Sequence, residues 1–473
     1  MIKEFFKNVS IYGILPVVGK FLNFLLIPLY AKVFAPEEFG IIELLDTLIF
    51  FLLIIASFEI PTALGRYYYD DKDIKYKSEI ISTGLFLTII ITLVICAISC
   101  FFENTILLYY VGNTDSYILY RLSLLWLALM SINTYLSFIP RYDNRPKLYV
   151  IVGIISNTIK LISSLGFVVI LDLGLPGVFY GYICGNTVSI IMYYFLSKRY
   201  IRLVFCFKYS NKILNYVIPL LPGVLIAGLW LPLLRWYAML WFPLFVIGYY
   251  GFTSRLTSVN SIVHGAFGIA WTPMMFEKKN EIIVGDRIRQ ISGLVFIFSA
   301  FIGIILSLFS PELTLIIGSE KYVGCIRLVP FVAFAGTIKV LTQLRGFGPY
   351  ISDKTQYISI IQVVSVIVCS LIFFTFKDLY GLYGLGLIAV LYELLNYLLC
   401  LFYTKKMYHV RLYYIWELVF ILFFITSSVC IHFQSSLILR SLASLILFIT
   451  TGIIVYRTYR KHISNFLRTC NLN

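Results

Sequence analysis

Residues 79–101 read EIISTGLFLTIIITLVICAISCF, an apolar stretch in which Glu79, at its start, is the only charged side chain. A helix of about 20 mostly apolar residues is long enough to cross the roughly 30 Å hydrocarbon layer of a bilayer. In that layer a helix satisfies its own backbone hydrogen bonds. The stretch therefore predicts a transmembrane helix.

The composition of the whole chain predicts the same environment. Of its 473 residues, 60% are hydrophobic and 13% are charged, whereas soluble domains average about 45–50% apolar and about 25% charged residues. We predict an all-α integral membrane protein with fourteen transmembrane helices. They are placed at roughly 8–33, 41–64, 79–101, 117–139, 148–171, 175–197, 213–236, 242–270, 289–309, 325–346, 355–376, 381–403, 414–433 and 437–456.

The net charge of +15 would suggest nucleic-acid binding in a soluble protein. Here the basic residues gather in alternate connections, and such loops mark the cytoplasmic side. We therefore expect the bilayer, and no nucleic acid, as the partner, with both termini in the cytoplasm. The basic connections are 3–7, 66–77, 141–147, 198–212, 278–289, 345–354, 405–411 and 457–468. The opposite side holds only Lys32, Arg121, Lys321, Arg327, Lys377 and Arg440.

The chain also repeats itself. Gly174-Leu175-Pro176-Gly177 resembles Gly381-Leu382-Tyr383-Gly384 at an offset of 207, and Lys198-Arg199 matches Lys405-Lys406 at the same offset. An offset of six spans gives both copies the same orientation, as in transporters built from parallel repeats. The predicted domains are a six-helix lobe at 1–210, a second six-helix lobe at 211–410, and two extra helices with a tail at 411–473.

Four local patterns carry a family resemblance. They are LYAKVFAPEEFG at 29–40, PTALGRYY at 61–68, PLLPG at 219–223, and GYYG at 248–251 followed by AWTP at 270–273. With the 6+6+2 layout, they resemble the multidrug/oligosaccharidyl-lipid/polysaccharide exporter superfamily, and within it the Wzx-type polysaccharide flippases. Many members carry an acidic and a basic residue together at the end of the seventh span. Here Arg235 has no acidic neighbour.

The resemblance implies a function and a location. Such proteins flip undecaprenyl-diphosphate-linked oligosaccharides, the repeat units of O-antigen or capsule, across the bacterial cytoplasmic membrane. They work by alternating access, driven by an ion gradient, beside polysaccharide polymerase and chain-length proteins. We expect no cofactor, no metal and no ATP, because the sequence has no Gly-rich phosphate loop or Cys/His cluster.

A diphosphate cargo calls for cations inside the membrane, where a charge usually faces a cavity or a partner. Lys160 shares a polar helical face with Ser156 and Asn157, which is also typical of a helix–helix contact. Arg235 and Lys339 lie closer to span ends, where snorkelling to the interface is the alternative. The candidate substrate-binding residues are Lys20, Lys160, Arg235, Arg255 and Lys339.

Acidic residues inside spans are candidates for ion coupling. Glu43 and Asp46 are spaced i,i+3 on one helical face. The alternatives for them are an ion pair with Lys32 or exposure at the membrane surface. Glu393, near the middle of its span, is a third candidate, or it pairs with a cation of its own lobe.

Prolines in the first helix of each predicted lobe are candidate hinges, with ordinary kinked packing as the alternative. They are Pro16, Pro28, Pro219, Pro222 and Pro232.

Three other functions remain open. A multidrug exporter or an exporter of another lipid precursor belongs to the same superfamily, and a cation exporter would favour an acidic cavity. A membrane polysaccharide polymerase or ligase would carry a large outer loop, and the outer loops here are short. Five basic residues against four acidic ones inside the predicted spans favour an anionic cargo.

Overall fold

The computed structural model is helical throughout the residues that it describes. Among the residues that the structure describes, nine helices are long and apolar enough to cross a membrane. The bent pair Val295–Leu308 and Ser310–Gly318, with 72° between its arms, makes ten if it counts as one span. The described ranges are 25–68, 70–112, 116–143, 145–219, 221–260, 284–345 and 356–407, with short stretches at 18–19, 22, 422–425, 427, 438–446 and 449–450.

The described helices follow one another along the chain. Residues 25–33 are helical and lead into α1. The longer helices are α1 (Pro36–Ser57), α2 (Ile60–Tyr67), α3 (Ile74–Phe101), α4 (Tyr117–Tyr142), α5 (Pro146–Leu165), α6 (Leu175–Ser197), α7 (Phe207–Val217), α8 (Leu221–Trp241), α9 (Leu244–Leu256), α10 (Val284–Leu308), α11 (Val329–Arg345) and α12 (Gln356–Met407).

The predicted all-α membrane architecture is confirmed. The count of fourteen stays a prediction, because the spans expected at 8–33, 242–270, 414–433 and 437–456 lie partly or wholly outside the described residues. The span predicted at 41–64 is two helices rather than one. α1 ends where Phe58 and Glu59 both take a positive φ, of 49° and 52°, and α2 begins after this left-handed turn, within one candidate membrane span at Pro36–Tyr67.

Two glycines repeat the same rare backbone conformation. Gly174, before α6, has φ 61° and ψ −141°. Gly381, which interrupts α12, has φ 49° and ψ −135°. A residue with a side chain is strained there, so glycine is required at both positions. These are the glycines that the sequence relates by an offset of 207.

A second irregularity repeats at the same offset. Four-residue helices follow α3 and α10, at Glu103–Ile106 and Ser310–Leu313. Each leads into a five-residue π-helical turn, at Leu107–Val111 and Thr314–Gly318. The matching irregularities favour a parallel repeat, and the division of the chain into two lobes and a C-terminal pair remains a prediction.

Glycines bring α1 and α9 into backbone contact. A Cβ added at Gly248 would lie 1.8 Å from the Pro36 carbonyl oxygen, and one at Gly40 would lie 2.6 Å from the Leu244 carbonyl oxygen. Small residues allow membrane helices to approach this closely. Gly251 continues the contact toward the middle of α1, where an added Cβ would lie 2.2 Å from Glu43 Cγ. The packing therefore aims a charged side chain of α1 at α9.

Candidate functional site

A cavity of about 400 Å³ lies where α1, α5, α6, α8 and α9 meet. Small-molecule sites commonly have about 300–1,000 Å³. Its walls are mainly apolar, with Phe50, Ile54 and Leu231 among them. The charged residues that line it are Glu43, Asp46, Lys160, Arg235 and Arg255.

Glu43 is the centre of an ion-pair network. Arg235 Nη2 donates to Glu43 Oε2 at 2.5 Å, and Arg235 Nη1 donates to the Glu43 main-chain carbonyl at 2.6 Å. Arg255 Nε donates to the other carboxylate oxygen, Oε1. Arg255 Nη2 also donates to Asp46 Oδ2 at 2.9 Å. The i,i+3 spacing on α1 thus places two carboxylates against two guanidinium groups from α8 and α9.

Burial makes this network strong and costly to break. The side chains of Glu43 and Arg235 are only 3% and 8% exposed. Charges removed from water are tolerated when each has a partner, and removal of one partner leaves the other uncompensated. Arg255 is the more accessible guanidinium, with 22% of its side chain exposed.

Lys160 adds a third cation to the cavity wall. Its ammonium group lies 3.9 Å from the centroid of the Tyr182 ring, a cation–π contact. α5 approaches α6 closely here, since a Cβ at Gly185 would lie 2.8 Å from Lys160 Cβ. Ser156 Oγ donates to the Gly185 carbonyl at 2.9 Å. The polar face of α5 therefore makes a helix contact and presents Lys160 to the cavity.

The cavity has an excess of positive charge and incomplete hydrogen bonding. Three cations face two carboxylates when all five groups are ionised. Asp46 Oδ1 and Arg235 Nε are buried and have no hydrogen-bond partner among the described residues. Buried polar atoms normally find a partner, so the site retains one acceptor and one donor for a further group.

Two alternatives that the sequence left open do not hold in the structure. Arg235 is buried rather than snorkelling to the surface, and its acidic partner is Glu43, which lies 192 residues earlier in the chain. The carboxylates of Glu43 and Asp46 do not pair with Lys32, which is exposed, but with Arg235 and Arg255. Sequence neighbours could not reveal these pairs, because the partners come from other helices.

Other predicted site residues lie apart from the cavity. Lys339, on α11, is exposed, and Glu393, on α12, lies near enough to interact with it electrostatically. Neither lines this cavity. Lys20 and Pro16 lie outside the described residues.

The described prolines occupy different positions. Pro28 lies in the helical stretch 25–33, and Pro219 in the turn before α8. Pro222 follows the first residue of α8, and Pro232 lies inside α8 and lines the cavity. Hinge motion at these positions remains a prediction.

Aromatic side chains form a wall of the cavity that sequence reasoning did not single out. The Trp126 ring lies 4.7 Å from the Tyr182 ring and 5.8 Å from the Phe50 ring, between centroids. The chain has 36 Tyr and 40 Phe residues, and no spacing distinguished these from lipid-facing ones. Only the packing of α1, α4 and α6 identifies them.

Solved structures share this fold at low sequence identity. The lipid II flippase MurJ, in an inward closed conformation, superimposes with a TM-score of 0.71 at 15% identity, over 94% of this chain and 99% of that chain. An inward-facing MATE multidrug transporter of the MOP superfamily gives 0.64 at 13% identity, over 85% and 95%. A mutant of the Vibrio cholerae MATE transporter VcmN gives 0.61 at 16% identity, over 85% and 96%. The fold is therefore that of the predicted superfamily.

Sequence comparison identifies the family. No curated protein matches the sequence significantly. The profile of the family described as "Polysaccharide biosynthesis protein" matches residues 5–279, more than half of the chain. The protein therefore belongs to the polysaccharide biosynthesis protein family of multi-pass membrane proteins.

Proposed function

We propose that the protein is a flippase. Its cargo is an undecaprenyl-diphosphate-linked oligosaccharide repeat unit, which it moves across the bacterial cytoplasmic membrane by alternating access. The family match and the transporter fold support a transporter over a polymerase or ligase. A polysaccharide polymerase and chain-length proteins are the partners that would take up the product.

The observation that carries the proposal is the cavity lined by three cations. A polyprenyl tail stays in lipid, whereas the diphosphate and glycan need a polar path. Arg255 offers a planar guanidinium suited to phosphate oxygens, and Lys160 offers a point charge. The aromatic wall beside Lys160 gives flat apolar surfaces on which a sugar ring stacks. The cavity therefore suits the diphosphate and the first sugar.

The internal carboxylates give the site a way to release cargo. Glu43 and Asp46 hold the guanidinium groups while the cavity is empty of cargo. A phosphate that binds Arg255 competes with these carboxylates. The cargo therefore binds more weakly than it would bind to guanidinium groups without carboxylate partners. The displaced carboxylates then become acceptors for a proton or a metal cation, which is the ion coupling that we propose for Glu43 and Asp46.

The location of the cavity fits alternating access. α1, α5 and α6 belong to the predicted lobe 1–210, and α8 and α9 to the predicted lobe 211–410. A site that both lobes line changes its accessibility when one lobe moves against the other. We propose that the prolines of the first helix in each lobe absorb this motion.

A second candidate cargo is the peptidoglycan lipid precursor. The fold match to the lipid II flippase MurJ covers nearly the whole of both chains, and the two cargoes share the polyprenyl diphosphate. A multidrug exporter for cationic drugs fits less well, because three cations line the cavity.

The test uses purified protein in liposomes with a fluorescent undecaprenyl-diphosphate glycan. Loss of outer-leaflet label to a membrane-impermeant quencher gives the transfer rate. We expect Arg255→Gln and Lys160→Gln each to reduce the rate at least tenfold, consistent with the loss of a charged hydrogen bond worth about 1.5–3 kcal/mol. Lys198→Gln, which removes an exposed cation after the end of α6 and outside the cavity, is the matched control.

Two outcomes would count against the proposal. If Lys198→Gln slows transfer as much as Arg255→Gln, the cavity does not carry the cargo. If labelled lipid II moves faster than the glycan at equal concentration, the second candidate replaces the first.

A further inference from the structure

The segment 202–208, which covers the end of the connection after α6 and the first two residues of α7, exposes large apolar side chains. Leu203 is 94% exposed and Phe207 is 78% exposed. Val204 and Phe205 are also exposed. Contiguous exposed apolar side chains, rimmed by polar ones, mark an interaction surface.

Backbone hydrogen bonds hold this segment against α3. The Arg202 amide donates to Ser82 Oγ at 2.9 Å, and the Cys206 amide donates to Thr83 Oγ1 at 3.1 Å. The segment is therefore fixed to a membrane-spanning helix at a defined height.

That height matches the edge expected for the hydrocarbon layer. Ser82 lies about 28 Å from the far end of α3 at Phe101, at 1.5 Å per residue, and the layer is roughly 30 Å thick. The Phe205 ring contacts the Phe86 ring edge-on at 6.5 Å, about one turn deeper. The loop charges place this edge on the cytoplasmic side. Leu203 and Phe207 thus lie where acyl chains meet headgroups.

Charge identifies the lipid. Arg202 and Lys208 flank the apolar residues and are exposed. Neither forms a salt bridge within the described ranges. Asp70, an acidic residue on this face, is engaged by Lys212 at 2.9 Å. Glu79 of α3 also interacts electrostatically with Tyr209, beside Lys208. One carboxylate against two basic side chains leaves a positive surface, which complements negative charge.

We propose that segment 202–208 is a binding site for the headgroup of an acidic phospholipid in the cytoplasmic leaflet. Leu203 and Phe207 insert among the acyl chains, while Arg202 and Lys208 contact the phosphate. Apolar insertion combined with basic residues is how interfacial segments bind anionic membranes. The site fixes the connection between the two predicted lobes to the membrane surface.

The experiment places photoreactive benzoylphenylalanine at position 203 of the full chain. The protein is reconstituted in nanodiscs of equal parts phosphatidylglycerol and phosphatidylcholine, irradiated, and its adducts are weighed by mass spectrometry. We expect phosphatidylglycerol adducts to exceed phosphatidylcholine adducts about three- to tenfold. The same probe at Leu93, exposed in the middle of α3, reports the bulk lipid ratio.

Charge variants complete the test. Arg202→Gln with Lys208→Gln should bring the ratio at position 203 down to that at position 93. Lys72→Gln with Lys75→Gln should leave this ratio unchanged, because it removes two exposed cations at the start of α3, outside segment 202–208. Equal adduct yields from the two lipids before any charge is removed would overturn the proposal, as would adducts mainly to polypeptide or none at all.

Discussion

Arg235 holds Glu43 at two points, through the carboxylate at 2.5 Å and through the main-chain carbonyl at 2.6 Å. The second contact ties the guanidinium to the backbone of α1 and not only to a mobile side chain. Because Arg255 holds the same carboxylate from α9, a single residue of α1 joins two helices of the predicted second lobe.

Replacement of Glu43 by Gln should destabilise the protein strongly. The guanidinium groups of Arg235 and Arg255 would lose the charge that compensates them, and a broken buried pair typically costs about 3–5 kcal/mol. We expect a clear fall in the melting temperature of the detergent-solubilised protein. Glu37→Gln, at an exposed position near the start of α1, should not change it. An unchanged melting temperature for Glu43→Gln would show that the pairs are not coupled to folding.

Gly248→Ala should force α1 and α9 apart. The new methyl group would meet the Pro36 carbonyl oxygen at 1.8 Å, and overpacking of this kind costs about 1–3 kcal/mol. The melting temperature should fall, and a cysteine cross-link between the two helices should form more slowly. Gly166→Ala is the control, because an added Cβ there meets nothing within 4 Å. Equal melting temperatures for the two variants would contradict the close contact.

Gly174→Ala and Gly381→Ala should have similar effects. Neither added Cβ would meet another atom within 4 Å, so the cost comes from the positive φ alone. Such strain is worth about 1–3 kcal/mol. Melting temperatures of the two single variants should fall by comparable amounts, below that of Gly166→Ala. A large difference between them would mean that the shared conformation has different surroundings in the two copies.

The contact between Asp70 and Lys212 should hold α7 over a wide pH range. The hydrogen bond from Lys212 lowers the pKa of Asp70, and the same bond raises the pKa of Lys212. A lowered carboxyl pKa gives stabilisation that is lost as pH falls below its ordinary value of about 3.9. A raised lysine pKa gives stabilisation that is lost above about 10.4. The contact should therefore be constant from about pH 5 to 9.

Hydrogen exchange of the α7 peptide tests this contact. Protection factors at residues 207–217 should be equal at pH 5, 7 and 9. Asp70→Asn should lower them about two- to fivefold, the size expected for an exposed ion pair. Asp71→Asn is a matched control, since Asp71 lies next to Asp70 and is also exposed. A pH-dependent loss of protection within this window would contradict the assignment.

Hydropathy was sufficient to predict the membrane-spanning helices within the described residues, because the physics that decides them is local. The helix ends at Phe101 and Leu308 agree with the predicted ones within a residue. The break at Phe58 and Glu59 was missed, since neither residue is typical of a left-handed turn.

The charge network could not be derived in the same way. Glu43 lies far in sequence from Arg235 and Arg255. Its pairing with them depends on which helices are in contact. Gly40, with Gly248 on α9, carries the signal that was available, because small residues predict close helix contacts. That signal would have placed Glu43 opposite α9 but could not have found Arg235.

The two π-helical turns of the predicted repeat agree in backbone geometry more closely than in residue identity. Residues 103–112 and 310–319 follow the same irregular path, yet Leu108 and Leu315 are the only identical pair between them. At the last position, Gly112 corresponds to Ser319, and both keep a positive φ. The backbone of this segment therefore follows a similar course in the two predicted lobes, although nine of the ten residue pairs differ.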